Sequence, residues 1–502
     1  MDELRPPRLT LLDFAGRAKT ISSDFANWHC IKEGDGDILV LGIGSGTSQW
    51  PKEWDSKRVF WLDEPGFVQK TQSHTHIPPS WHHIAKDQAQ EIFPHASVWF
   101  FQQALSFAPA FWVDLLGELF AKPCLFRRDP KRILLLGSTA YLLHQELVHA
   151  CQTAGFFVIP YLPSLPAKNP EEDVLRRCHG VLPTLCLSVN FRGLDSEGRL
   201  FGLFKALRIP CAIWIVDNPW HILSAIKYPW WKEAPLFVTD PSFVPQLTAI
   251  GAKSVFFLPL AVAPHMWRPL PEGDDPDWGT KPPLFVGHSA FPDKKRYFAA
   301  AHVDPALLDT AKALLDTQTQ PDIHWWYAHC QVPLWPGNAV RTPGAGAEYC
   351  TQAKKVQWLS RLAPSSFTLV GDNGWKELLP DTNLHKAVDD YTELPTLYWQ
   401  ASCVLTLTSL QLPGSLNQRH FDVWAAGGFL FSNPTTGLSL FPKELTDPIT
   451  IASPSELATR LKAFQRDRET RALIQAWRTH LAAKHTYRHR LQTVIDCVAS
   501  SQ

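Results

Sequence analysis

No stretch of this 502-residue sequence approaches the ~20 apolar residues that a membrane-spanning helix needs. The opening Met1-Asp2-Glu3-Leu4-Arg5-Pro6-Pro7 has no apolar run of the signal-peptide kind. Net charge is missing too: 48 Lys and Arg balance 48 Asp and Glu, so no global field draws the chain to nucleic acid or an anionic membrane. The ten cysteines include no C-x-x-C pair and form no regular framework, which excludes a disulfide scaffold and reads as reduced thiols. Low-complexity tracts are absent, and the only repetition is a recurring strand-helix unit. The expectation is a cytoplasmic enzyme without a transmembrane segment or nucleic-acid partner. Peripheral membrane contact and oligomeric state stay open.

What is present is an ordinary folded composition, 45% hydrophobic and 19% charged, with 21 Trp and 42 Pro. The length calls for two or three domains. The first block, residues 1–125, runs from a buried strand at Asp37–Leu41 into Gly42-Ile43-Gly44-Ser45-Gly46. A second strand, Arg58–Leu62, ends in Asp63 about 20 positions on, where a ribose hydroxyl would be held in a dinucleotide-binding unit. Gly42, Gly44, Gly46 and Asp63 are therefore a candidate cofactor site. S-adenosylmethionine would suit it as well, which keeps a methyltransferase or bifunctional enzyme as an alternative.

The second block, residues 126–270, alternates short apolar runs with helical patterns, which implies a mostly parallel sheet. Its runs include Arg132–Ser138, Phe156–Ile159, Thr184–Asn190 and Ile209–Pro219, the last ending in Asp217, Asn218 and Pro219. A Pro-rich linker spans 263–283, and its Asp275-Pro276-Asp277 reads as a solvated turn, not a metal ligand. In the third block, residues 271–502, strands are expected at Pro283–Gly287, Ser366–Val370, Cys403–Leu407 and Phe429–Ser432. A long helical stretch to Leu362, a helix from Leu416 to Ala426 and a helical tail from Ser455 complete it. His74, His76, His82 and His83 cluster among Pro and Ser without metal-ligand spacing, so no metal site is expected.

Several fragments of the C-terminal half occur in a characteristic order: Trp214–Pro219, Phe237–Asp240, Leu258–Ala261, Phe285–Gly287, Tyr391–Pro395, Leu416–Gly428 and His485–Arg490. Over roughly residues 130–495 the chain thereby resembles the CgeB-like family, named from a spore maturation protein, whose members look like GT-B glycosyltransferases. The resemblance implies an α/β chain with two Rossmann-like domains facing a cleft, preceded by the additional Rossmann-like α/β domain. It implies a nucleotide-diphosphate sugar as donor, a polysaccharide, lipid or protein acceptor, and no tightly bound cofactor. Asp422 would hold the ribose hydroxyls. Amides of Gly414, Ser415, Leu416 and Asn417 at a helix N-terminus would hold the diphosphate, with Arg419 beside them. Gly287 would let backbone approach phosphate or sugar, and one cation of Lys294, Lys295 and Arg296 would neutralise the leaving group. On the acceptor side Asp217 and His221 are the candidate catalytic groups. One departure stands out: where many retaining GT-B enzymes place a second Glu, this chain has Gly414. A non-catalytic assembly protein that keeps the shell is therefore a further alternative.

Overall fold

The computed structural model describes residues 8–44, 50–71, 77–122, 126–162, 169–271, 277–291, 293–315, 317, 319–388 and 392–500. Gly46, His74, His76, Asp275, Pro276 and Tyr391 lie outside them. The chain is mixed α/β with parallel sheets. It divides into two compact units. The first comprises Met1–Tyr141, Gly155–Ile213 and Ile226–Ala234; the second comprises Leu142–Ala154, Trp214–Ala225 and Pro235–Gln502. Asp217 and His221, placed in the middle block by sequence, thus belong to the second unit.

In the first unit, five strands pair in the order Trp28–Lys32, Ser97–Phe101, Ile38–Leu41, Val59–Leu62, His82–His83. The first pair is antiparallel and the rest parallel, with Leu39 opposite both Val98 and Phe60. Ile38–Leu41 is buried at every residue, as a central parallel strand covered on both faces must be. Arg132–Leu136 lies between Phe157–Tyr161 and Leu185–Val189, again parallel. The helix Pro109–Ala121 packs on Arg199–Ala206. Arg199 reaches Glu171 through two hydrogen bonds of 2.8 and 2.7 Å, and both residues are almost fully buried.

The second unit holds a five-stranded parallel sheet in the order Leu384–Lys386, Thr368–Gly371, Leu284–Val286, Val404–Thr406, Leu430–Ser432. Leu284–Val286 comes first in the chain yet lies in the middle, so the winding reverses between it and Val404–Thr406. Ligands of open α/β sheets lie in the crevice beyond the strand ends at such a reversal. The edge strand Leu384–Lys386 escapes sequence reading because two of its three residues, His385 and Lys386, are exposed and polar. The stretch expected to be one long helix is four helices: Lys294–Tyr297, Pro305–Leu314, Ile323–Cys330 and Arg341–Leu359. The tail forms Pro454–Ala463, Arg468–Lys484 and Tyr487–Ser500. Trp477 of the second tail helix stacks on Trp424 at 4.8 Å, with ring planes 2° apart, anchoring the tail to the helix Arg419–Ala425. Among the described residues no helix is long and apolar enough to cross a membrane.

Candidate functional site

A cavity of about 450 Å³ opens at the sheet's reversal, and all its walls belong to the second unit. Phe285, Gly287 and His288 border it from the end of one central strand, Leu407 and Ser409 from the end of the other. Asp217, Asn218 and His221 contribute a further side, and Asn417 and Arg419 another. The sequence candidates Asp217, His221, Gly287, Asn417 and Arg419 are therefore brought together.

Local rules fix each wall. Asn218 caps the short helix Pro219–Leu223: its side chain accepts from the Trp220 amide at 3.0 Å, and Pro219 fills the first helical position, where no amide is missed. The Asn218 amide nitrogen donates to the Tyr327 hydroxyl at 3.2 Å, and burial pushes that phenol's pKa up. His221, one turn on, places its ring against the helix Arg341–Leu359 at Gly344. A Cβ there would stand 2.2 Å from His221 Nε2, so only glycine permits the contact. The ring also meets Tyr297 and Phe298. Its Nε2 is buried and has no hydrogen-bond partner among the described residues. Burial, reinforced by the Arg341 guanidinium, pushes the imidazole down to about 3, so it is neutral at any working pH. A buried nitrogen left unsatisfied on a cavity wall is a place for a ligand atom.

Arg419 sits beside the end of Val404–Thr406, its Nε donating to the Thr406 hydroxyl at 3.3 Å. Asn417 donates to the same oxygen at 2.8 Å. A second cation, Lys355, comes from the helix Arg341–Leu359 and donates to the His288 carbonyl at 2.9 Å. Burial lowers its pKa; Arg419 and Lys294 push the same way, while Glu348 and Asp372 oppose them. Neither Arg419 nor Lys355 is in an ion pair among the described residues. Glu348, buried on the same helix, accepts from the Phe291 amide at 2.7 Å. Sequence reasoning missed Lys355 and Glu348. The signal was there as the spacing Gly344, Glu348, Thr351, Lys355, one face of a helix.

Other candidates are placed elsewhere. Arg296 is exposed and does not line the cavity, whereas Lys355 does. Gly287 does line it, but its amide donates to Val370 and its carbonyl accepts from Trp375. The helix expected from Leu416 begins only at Arg419. The Gly414 amide donates to Asp240 at 2.8 Å and the Ser415 amide to Leu412, so these two are not free to cradle a diphosphate. Gly414 has its own reason: a Cβ would meet the Asp240 carboxylate at 2.6 Å. Asp240 is held by Ser242, whose hydroxyl donates to it at 2.6 Å and is itself 2.7 Å from His324 Nε2. The chain pins the loop that carries Gln411 to the cavity wall, where Gln411 donates to the Gly344 carbonyl at 2.7 Å.

Asp422 is also corrected. It is buried and absent from the cavity wall, and its Oδ1 accepts from the Ala263 amide at 2.9 Å and from Gln418 at 3.0 Å. Its Oδ1 thus ties the helix to the segment entering the sheet. In the first unit Asp63 does similar work. It accepts from the Ile43 and Glu64 amides, both at 2.7 Å, and closes the turn in which Gly42 and Gly44 take positive φ. Burial pushes it up to about 7 despite those bonds. Among the described residues no group of three or more His, Cys, Asp or Glu is arranged to hold a metal.

Against known families, residues 352–496 match a model described as glycosyl transferase-like. The chain carries a glycosyl transferase-like segment. Lys355, Ser409, Gln411, Asn417 and Arg419 lie inside it. No curated protein matches the chain. Solved structures similar to it include an O-GlcNAc transferase mutant from Thermobaculum terrenum, 13% identical over 87% of this chain and 83% of that one, with a TM-score of 0.40. The T4 phage BGT in complex with UDP-glucose is 10% identical over 73% and 98%, at 0.39. The glycosyltransferase SnogD from Streptomyces nogalater is 11% identical over 74% and 100%, at 0.30. Scores this low leave the three as resemblances only.

Proposed function

We propose that this chain is a GT-B glycosyltransferase of the CgeB-like kind, transferring a sugar from a nucleoside-diphosphate sugar to a glycan, lipid or protein acceptor. The observation that carries the reading is the pairing of Arg419 and Lys355, two cations without ion-pair partners, on one cavity wall within the glycosyl transferase-like segment. A dianionic leaving group is what such a pair serves: charge-assisted hydrogen bonds to phosphate oxygens are about twice as strong as neutral ones. The cavity volume is in the range of ~300–1,000 Å³ that small-molecule sites occupy.

In this reading the acceptor oxygen forms a bond to the anomeric carbon as the bond from that carbon to the diphosphate oxygen breaks. The nucleoside diphosphate leaves with the electron pair. Arg419 and Lys355 stabilise the charge that develops on it. Asp217, exposed on the cavity wall, takes the acceptor's proton. His221, held neutral, offers Nε2 to a substrate hydroxyl but carries no charge.

The test is release of nucleoside diphosphate from a panel of UDP-, GDP-, dTDP- and CDP-sugars by the purified chain. One nucleotide series turning over above the no-enzyme rate, with slow hydrolysis in place of an acceptor, is expected. No release from any of them, together with no binding of the free diphosphates, would contradict the proposal.

A further inference from the structure

The helix Arg341–Leu359 turns Lys355 toward the cavity described above and its neighbour Lys354 toward a different one. This second cavity has a volume of about 820 Å³ and shares no lining residue with the first. Lys354 is only 6% exposed, yet its ammonium has no hydrogen-bond or ion-pair partner among the described residues. Among the described residues no carboxylate offsets the burial, which pushes the amine down to about 8. Arg361, two turns further along the chain, is exposed on the same wall and is likewise without an ion pair. Gln320, also on the wall, has a buried Oε1 with no donor among the described residues. Trp358 supplies an apolar surface, Thr435 and Ser453 supply hydroxyls, and among the described residues no acidic side chain lines the cavity.

A buried ammonium is costly unless paired, so a chain that keeps one against an open cavity leaves its counter-charge to come from outside. Two unpaired cations match a dianion better than a monoanion. The unsatisfied Gln320 oxygen is an acceptor and calls for a donor, which a hydroxyl on the same ligand provides. We infer that the cavity around Lys354, Arg361 and Gln320 is a binding site for a small hydroxylated phosphate monoester, separate from the donor cavity. The inference does not depend on the activity proposed for the first cavity.

Isothermal titration of the full-length chain with glucose 6-phosphate and with inorganic phosphate tests it. Arg419→Gln serves as the background, because it disables the first cavity's anion contact. In that background glucose 6-phosphate is expected to bind, more tightly than inorganic phosphate because only the ester offers a hydroxyl to Gln320. Lys354→Met should weaken it at least tenfold. Arg361→Gln, at an exposed position that cannot disturb the core, should weaken it severalfold. Lys354→Met should also raise the melting temperature of the free protein, since it removes an unpaired buried charge, so the lost binding cannot be unfolding. Unchanged affinity in both variants, or no heat from either probe at millimolar concentration, would overturn the site. Inorganic phosphate binding as tightly as the ester would overturn its assignment to a hydroxylated ligand.

Discussion

Replacing Arg419 with Gln is expected to weaken binding of a nucleoside diphosphate by roughly tenfold to a hundredfold, the equivalent of ~1.5–3 kcal/mol for a lost charge-assisted hydrogen bond. The guanidinium is partly buried at the end of Val404–Thr406, and the bond to Thr406 holds it beside Gly287. Its rotamer is thus largely fixed before a ligand arrives, and little entropy remains to be lost on binding. Lys355→Met should act in the same direction. Asp422→Ala provides the contrast. Its carboxylate serves the Ala263 amide and Gln418, so its removal leaves a buried donor unsatisfied and should lower stability by ~1–3 kcal/mol. Affinity measured on the folded fraction should change little. Calorimetry on the variants separates the two cases. If Asp422→Ala loses affinity while Arg419→Gln keeps it, the assignment of the donor wall is reversed.

The largest stability effect is expected in the other unit. Glu171→Ala removes one partner of a buried, two-bond ion pair, leaving the Arg199 guanidinium 4% exposed with no compensating charge. Breaking such a pair costs ~3–5 kcal/mol, whereas replacing both partners with apolar residues of similar volume is often neutral. The double variant Glu171→Met with Arg199→Met should therefore recover most of the loss. Denaturant unfolding of the three proteins tests this. A single variant within ~1 kcal/mol of the parent would show that water reaches the pair and that its burial is not what holds it.

The strands of the second unit were legible where all their residues are apolar, as in Leu284–Val286 and Val404–Thr406. Leu384–Lys386 was not, because an edge strand needs to bury only one face. The start of the helix at Arg419 was hidden for a different reason. Residues 411–415 are restrained by Asn218, Gly344 and Asp240, and nothing local to the loop announces partners up to 193 positions away. The same limit explains the site. Asp217, Gly287, Asn417 and Arg419 sit at strand and helix ends, and His221 in the short helix that follows a strand end, positions where sequence pattern and chemistry coincide. Lys355 sits mid-helix, where a cation ordinarily means a solvated face. Asp63 looked like a ribose ligand because an acid about 20 positions after a glycine turn has that appearance, and Asp422 because its neighbours resemble the family's pattern. What each carboxylate accepts, a backbone amide 20 residues away for Asp63 and 159 for Asp422, appears only when the chain is folded.

The central claim is that the cavity at the sheet reversal takes the diphosphate of a sugar donor. The most direct test is a crystal structure of the chain with the nucleoside diphosphate that it binds. The account predicts diphosphate density between the Arg419 guanidinium and the Lys355 ammonium, beyond the ends of Leu284–Val286 and Val404–Thr406. Density at any other place in the chain, with these two side chains uninvolved, would contradict it.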